Sequence, residues 1–147
     1  MVYDVAIIGA GIIGCGVARE LSHFDCKTVL IDRENDVAMG TTRANSAIIH
    51  AGYDPEPGTL MAKYNVPGNK MAEEICRELD VPFKRTGQYA CFTHKSWLPF
   101  VSLYAKWRRD HDGIEDTRIV MGDEIRRKEP KISPDVAFAL SNPSSGS

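Results

Sequence analysis

Tyr3-Asp4-Val5-Ala6-Ile7-Ile8-Gly9-Ala10-Gly11-Ile12-Ile13-Gly14 is the stretch that decides the fold. An apolar run feeds straight into a glycine turn of the form G-x-G-x-x-G. A helical pattern follows, with Ile13, Val17 and Leu21 at i, i+4 and i+8, extended by Ala18 and Phe24. Lys27-Thr28-Val29-Leu30-Ile31-Asp32 then reads as a second strand ending in an acid. The glycine triplet alone is a weak signal. Placed after a strand, opening a helix and followed at the right distance by a carboxylate, it is a strong one. The expectation is an α/β chain that begins with a Rossmann-like βαβ unit. Its near-continuous apolar strands suit a parallel sheet covered on both faces.

Each residue of the turn has a physical task. Gly9 permits the sharp exit from the strand, Gly11 lets a pyrophosphate approach the backbone, and Ala10 between them is counted with the cofactor-binding residues. Gly14 lets helix and sheet pack closely. The helix N-terminus presents free N–H groups and partial positive charge to phosphates. Asp32 is placed to accept from a ribose hydroxyl, and its charge disfavours the 2′-phosphate of NADP.

Composition narrows the class. With 147 residues the chain is long enough for a real core, and 43% hydrophobic with 26% charged residues is a globular balance. A net charge of −2 and a pI near 6.1 leave no electrostatic footprint for nucleic acid. The basic runs Lys106-Trp107-Arg108-Arg109 and Arg126-Arg127-Lys128 read as solvated helix faces because acids surround them. Cys15, Cys26, Cys76 and Cys91 have no metal-like spacing, so free thiols in a reducing, cytoplasmic compartment are expected and no metal site is. No apolar run is long enough for a transmembrane segment, and no signal peptide is read at the start. Any membrane association would be peripheral.

Residues 33–47 are polar, with Gly40-Thr41-Thr42-Arg43-Ala44-Asn45-Ser46 rich in hydroxyls and amides suited to a phosphate-bearing ligand. A plain loop with a short helix is the competing reading. Ala47 to Tyr53 is apolar with one histidine, His50, and Asp54-Pro55-Glu56-Pro57-Gly58 is a turn. Residues 59–80 read as two helical pieces parted by Pro67-Gly68, with Met71, Ile75 and Leu79 as the packing stripe. Phe83 to Thr93 reads as a strand. Residues 96–110 read as a helix capped by Ser96, with Trp97, Phe100, Val101, Tyr104 and Trp107 as a core stripe. Arg118–Met121 is a strand, Gly122–Glu129 a helix stopped by Pro130, and Val136–Leu140 a last strand. The ending Asn142-Pro143-Ser144-Ser145-Gly146-Ser147 is either a linker-like tail or the cut edge of a larger protein.

Three further stretches add to the fingerprint: Ala44-Asn45-Ser46-Ala47-Ile48-Ile49-His50-Ala51-Gly52-Tyr53, Pro57 to Lys63, and Leu79 to Gly87. With these, the chain resembles the N-terminal portion of FAD-dependent oxidoreductases of the D-amino-acid-oxidase-like group, of the glycerol-3-phosphate dehydrogenase and L-2-hydroxyglutarate oxidase type. The stretch from Asp123 to Pro130 matches as well. The resemblance implies FAD as cofactor, with the pyrophosphate on Gly9, Gly11 and Gly14, the adenosine ribose on Asp32 and the adenine near Arg33. Thr41, Thr42, Asn45 and Ser46 would line the flavin side of the groove. His50 would lie near the flavin and substrate, as proton acceptor, as a packing or hydrogen-bonding group, or as a point of covalent flavin attachment.

The chemistry implied is hydride transfer to flavin from a small hydroxy acid or polyol phosphate such as glycerol 3-phosphate, with L-2-hydroxyglutarate or an amine or amino acid as alternatives. The substrate would be a small anion. Residues 1–80 would belong to the FAD-binding domain and 81–147 to the start of an α+β substrate domain. The chain reads as an incomplete fragment of a larger fold, whose remaining part or a partner subunit would complete it. A nicotinamide-dependent dehydrogenase would need a third strand soon after the second, which residues 33–60 do not offer. A non-catalytic nucleotide-binding fragment is the reading from another class, supported by length alone. His23, His94 and His111 are expected at the surface, and helix-surface and strand-edge roles are expected for Lys63 and Arg85.

Overall fold

The computed structural model describes residues 2–147. They form two compact units, Met1–Ser46 and Ala47–Ser147.

In the first unit β1 (Val5–Ile8) and β2 (Thr28–Ile31) pair in parallel, from Val5 opposite Thr28 to Ile8 opposite Ile31. Helix α1 (Ile12–Leu21) makes the crossover between them, as a parallel pair requires. Asp4 Oδ2 accepts from Lys27 N at 2.8 Å and Gly9 N donates to Ile31 O at 2.7 Å, closing the two ends of the pair. The βαβ expectation holds, but full coverage of the sheet does not. Ile7 is buried, whereas Ile8, Ile31 and the helix residues Ile13 and Val17 are exposed. One helix shields only one face of a two-stranded sheet.

The second unit has α2 (Leu60–Glu78), β3 (Gln88–Phe92), α3 (Leu98–Asp112), β4 (Arg118–Met121), α4 (Gly122–Lys128) and β5 (Phe138–Asn142). The sheet order is β3-β5-β4, with both pairings antiparallel. All five β5 residues are buried, and they alternate between two clusters as a strand must. Phe138 and Leu140 pack with Val101 of α3, and Ala139 with Val120, Ile125 and Val136. Phe92 stacks on Phe138 across the strand pair, with ring centroids 4.9 Å apart.

Several local expectations are corrected. Helix α2 runs unbroken through Pro67. Proline forfeits one helical hydrogen bond, but Thr59 caps the start by accepting from Ala62 N at 3.2 Å, and Ala62, Val66, Asn69 and Ala72 are buried on one face. That face, not the Met71–Leu79 stripe, packs inward: Met71 and Leu79 are exposed. Ser96 does not cap α3. A 3₁₀ turn over Lys95–Trp97 precedes the helix, and Pro99 takes its first turn, where the missing N–H costs nothing. Trp97, Phe100, Tyr104 and Trp107 are exposed, while Val101 and Arg108 are the buried residues of α3. Arg108 is therefore no solvated charge.

The C-terminal stretch is not linker-like. Ile49 and Gly146 form an antiparallel bridge, with Ile49 N to Gly146 O at 2.8 Å and Gly146 N to Ile49 O at 3.1 Å. A Cβ on Gly146 would stand 2.6 Å from the Phe83 ring, so only glycine fits this close approach.

Candidate functional site

The glycine turn of the first unit has the stereochemistry expected of it. Gly9 leaves β1 at φ +101°, a region that favours glycine. A Cβ on Gly14 would fall 1.8 Å from Gly9 O, so α1 reaches the strand end only because that atom is missing. The 3₁₀ turn at Thr41–Arg43 lies over the start of α1. Thr42 Oγ1 accepts from Ile12 N at 3.0 Å and would be 3.1 Å from a Cβ on Gly11. Ala38 N donates to Ala10 O at 2.9 Å, and Asn45 Nδ2 donates to Thr42 O. The polar stretch after β2 is thus folded back on the glycine turn, with Thr41, Asn45 and Ser46 exposed beside the partly covered Thr42.

Asp32 Oδ2 accepts from Ala10 N at 2.5 Å and Oδ1 from Glu34 N at 2.9 Å. The Ala10 N–H, then the Glu34 N–H, hold its carboxyl below the ordinary value of 3.8, so it is ionised at neutral pH. Each oxygen keeps further lone-pair capacity for a hydroxyl donor. A cleft of about 450 Å³ opens beside it, lined by Ala10, Leu30, Ile31, Asp32 and residues 34–37. Arg33 is exposed, its Nε 3.1 Å from Glu34 Oε1. A glycine cradle that a Cβ would fill, and an ionised acid at the mouth of a cleft, fit the adenosine diphosphate half of a dinucleotide.

His50 belongs to the second unit. Its Nδ1 lies 2.9 Å from Asp54 Oδ2, within ion-pair range. The approach misses hydrogen-bond alignment, so Nδ1 is buried without an aligned partner. The side chain as a whole remains 35% exposed.

The backbone around His50 is held from several sides. Asn69 Nδ2 donates to His50 O at 2.9 Å and Ser145 Oγ to Ile49 O at 3.1 Å. Arg108, fully buried, donates from Nη2 to Gly52 O at 2.6 Å and from Nη1 to Tyr53 O at 3.3 Å and Tyr104 Oη at 2.6 Å. It also pairs with Asp112 and faces the rings of Tyr53 and Tyr104. Sequence reading missed Asp54, Asn69 and Arg108. The only signal for Asp54 was an acid four positions after His50. Arg108 was masked by its basic neighbours. Arg85 is no strand-edge residue: it lies ahead of β3 and binds Asn69 and Ser144. Lys63, His23, His94 and His111 are exposed as expected.

Among the described residues no cluster of His, Cys, Asp or Glu could hold a metal ion, and no helix is long and apolar enough to cross a membrane. The four cysteines are free thiols.

Residues 4–147 match the family described as FAD dependent oxidoreductase, DAO. The chain belongs to that family. It is 47% identical over 139 residues to a glycerol 3-phosphate dehydrogenase of Caloramator mitchellensis, covering 94% of this chain and 28% of that protein. It is 31% identical over 147 residues to the mitochondrial L-2-hydroxyglutarate dehydrogenase of Nematostella vectensis, covering 98% and 31%. The solved structure of dithionite-reduced L-alpha-glycerophosphate oxidase from Mycoplasma pneumoniae with FAD bound superposes with a TM-score of 0.84. It is 29% identical, covering 99% of this chain and 38% of that one. The chain spans about a third of the length of the curated relatives it matches. The α/β assignment and the resemblance read from the sequence are both borne out.

Proposed function

We propose that the protein oxidises glycerol 3-phosphate, with FAD held on Gly9, Ala10, Gly11, Gly14 and Asp32, and with His50 as the proton acceptor. The observation that carries this reading is the Asp54 carboxylate 2.9 Å from Nδ1 of a histidine whose side chain stays 35% exposed. Family membership and the 47% identical glycerol 3-phosphate dehydrogenase supply the substrate class. Arg33 lies on the adenine side of the cradle, and Thr41, Thr42, Asn45 and Ser46 on the flavin side. Residues 1–80 serve the cofactor and 81–147 begin the substrate-binding part. The free thiols support a cytoplasmic setting, with any membrane contact peripheral.

Bound FAD supplies the hydride acceptor. The chain's own work is orientation and proton handling. The α1 N-terminus and the backbone of the glycine turn neutralise the pyrophosphate. His50 Nε2 takes the proton of the carbinol hydroxyl as that carbon is oxidised. The ring then carries a positive charge, which the Asp54 carboxylate 2.9 Å from Nδ1 stabilises electrostatically.

The test is anaerobic reduction of the FAD-loaded protein, followed by loss of flavin absorbance. Glycerol 3-phosphate should bleach the flavin and L-2-hydroxyglutarate should not. His50→Asn should keep the flavin and slow bleaching about 10²–10⁴-fold, the range of a lost general base. Bleaching by L-2-hydroxyglutarate alone would overturn the substrate. An unchanged rate in His50→Asn would overturn the base.

A further inference from the structure

The residues around His50 have no regular structure beyond the bridge at Ile49, yet the His50 carbonyl is fixed by a buried side chain from another element. Asn69 sits mid-way along α2 and is 6% exposed. Its Nδ2 donates to His50 O at 2.9 Å and to Ser144 O at 3.0 Å, using both amide protons. The two ends of a carboxamide have nearly the same shape, and only the amino end can donate. Something must therefore decide which end faces the two carbonyls.

Arg85 decides it. Its Nη1 donates to Asn69 Oδ1 at 2.8 Å and its Nη2 to the Asn69 main-chain O at 2.8 Å. A guanidinium has donors only, so it tolerates the oxygen end of the amide and rejects the amino end. Nη1 also donates to Ser144 O, the same carbonyl that Asn69 holds. Arg85 is steadied in turn by the Phe83 ring, 5.0 Å from its guanidinium carbon, and by Glu73, with Nε 3.8 Å from the carboxylate. Geometry this well determined, 28% exposed at the arginine side chain, exceeds what a surface cation needs.

We propose that Asn69 and Arg85 are positioning residues for His50. Arg85 sets the orientation of the Asn69 amide, and Asn69 fixes the His50 backbone so that the imidazole is held beside Asp54. Neither side chain is assigned contact with substrate. This inference rests on the reading of His50 as proton acceptor, so its test must separate the two.

The experiment is a double-mutant cycle on the FAD-loaded protein, reading the single-turnover rate of flavin reduction by saturating glycerol 3-phosphate per bound flavin. Asn69→Asp sets an acceptor oxygen against two carbonyl oxygens while nearly preserving shape. It should slow reduction about 10–100-fold, as a small misplacement of a reacting group does. Arg85→Lys keeps the charge but offers no planar fork, so it should show a smaller loss in the same direction. In a His50→Asn background, Asn69→Asp should cost less than about twofold further, because its effect runs through the histidine. Full additivity with His50→Asn, or a wild-type rate per flavin in Asn69→Asp, would overturn the positioning role and leave the base reading intact. If His50→Asn alone keeps the wild-type rate, the base reading falls first. Should Asn69→Asp fail to retain FAD, Arg85→Lys carries the same cycle with the same two outcomes.

Discussion

The two compact units use their apolar residues in opposite ways. In Ala47–Ser147 a strand buried along its whole length lies between two others, and both of its faces are packed. In Met1–Ser46 only Ile7 and Ala10 are buried hydrophobics among the described residues, while Ile8 and Ile13 are 80% and 78% exposed. The first unit is thus held by backbone complementarity: the parallel ladder, the glycine contacts and the Asp32 bonds to the turn. The second is held by side-chain packing around β5 and by the buried Arg108. Substitutions of similar size should therefore have very different consequences in the two regions.

The largest effect is expected at Arg108. Arg108→Met leaves Asp112 unpaired and strips the Gly52 and Tyr53 carbonyls of their donors. Breaking a buried pair from one side costs about 3–5 kcal/mol, and urea unfolding would show it as a lower midpoint. A loss under about 1 kcal/mol would mean that the second unit tolerates its charge rather than depends on it. Gly14→Ala comes next. The added methyl meets Gly9 O at 1.8 Å and must push α1 away from the strand end, an overpacking cost of about 1–3 kcal/mol. Retained FAD after desalting should drop with it, since the phosphate turn moves too. The smallest effect is expected at Ile13→Ser, within about 0.5 kcal/mol, because an exposed site loses little. A loss above 1 kcal/mol there would show that the α1 face is covered in solution, and sedimentation of the wild type beside Ile13→Ser would show whether a second copy covers it.

The parts of the fold that were legible beforehand are those governed by local chemistry. The βαβ order, the strand Arg118–Met121 and the helix from Gly122 each announce themselves through apolar runs, glycine and an N-terminal acid pair. What escaped is set by distant partners. Pro67 reads as a break, yet the buried face from Ala62 to Ala72 carries α2 through it. The stripe Trp97, Phe100, Val101, Tyr104 and Trp107 reads as core, but β5 meets Val101 with Leu98 and Ala105, and the four aromatic residues are exposed. At the candidate site, the glycine turn, Asp32 and His50 are visible as motifs. Asn69 and Arg85 are not, because nothing local in a helix asparagine or a pre-strand arginine tells that they converge on one carbonyl 75 and 59 residues further along.

The strand order β3-β5-β4 has a consequence for how the chain acquires its form. The central strand is the last of the three to be synthesised, so β3 and β4 leave the ribosome with no partner between them. The same holds for Ile49, whose carbonyl is met by a hydroxyl 96 residues later. Until residues 138–146 emerge, two strand edges stay open to wrong neighbours, and chaperone binding or misassembly competes with closure. The backbone around His50 settles only once residues 144–146 are made, so any chain stalled before about residue 138 carries the glycine turn but not the frame for the histidine.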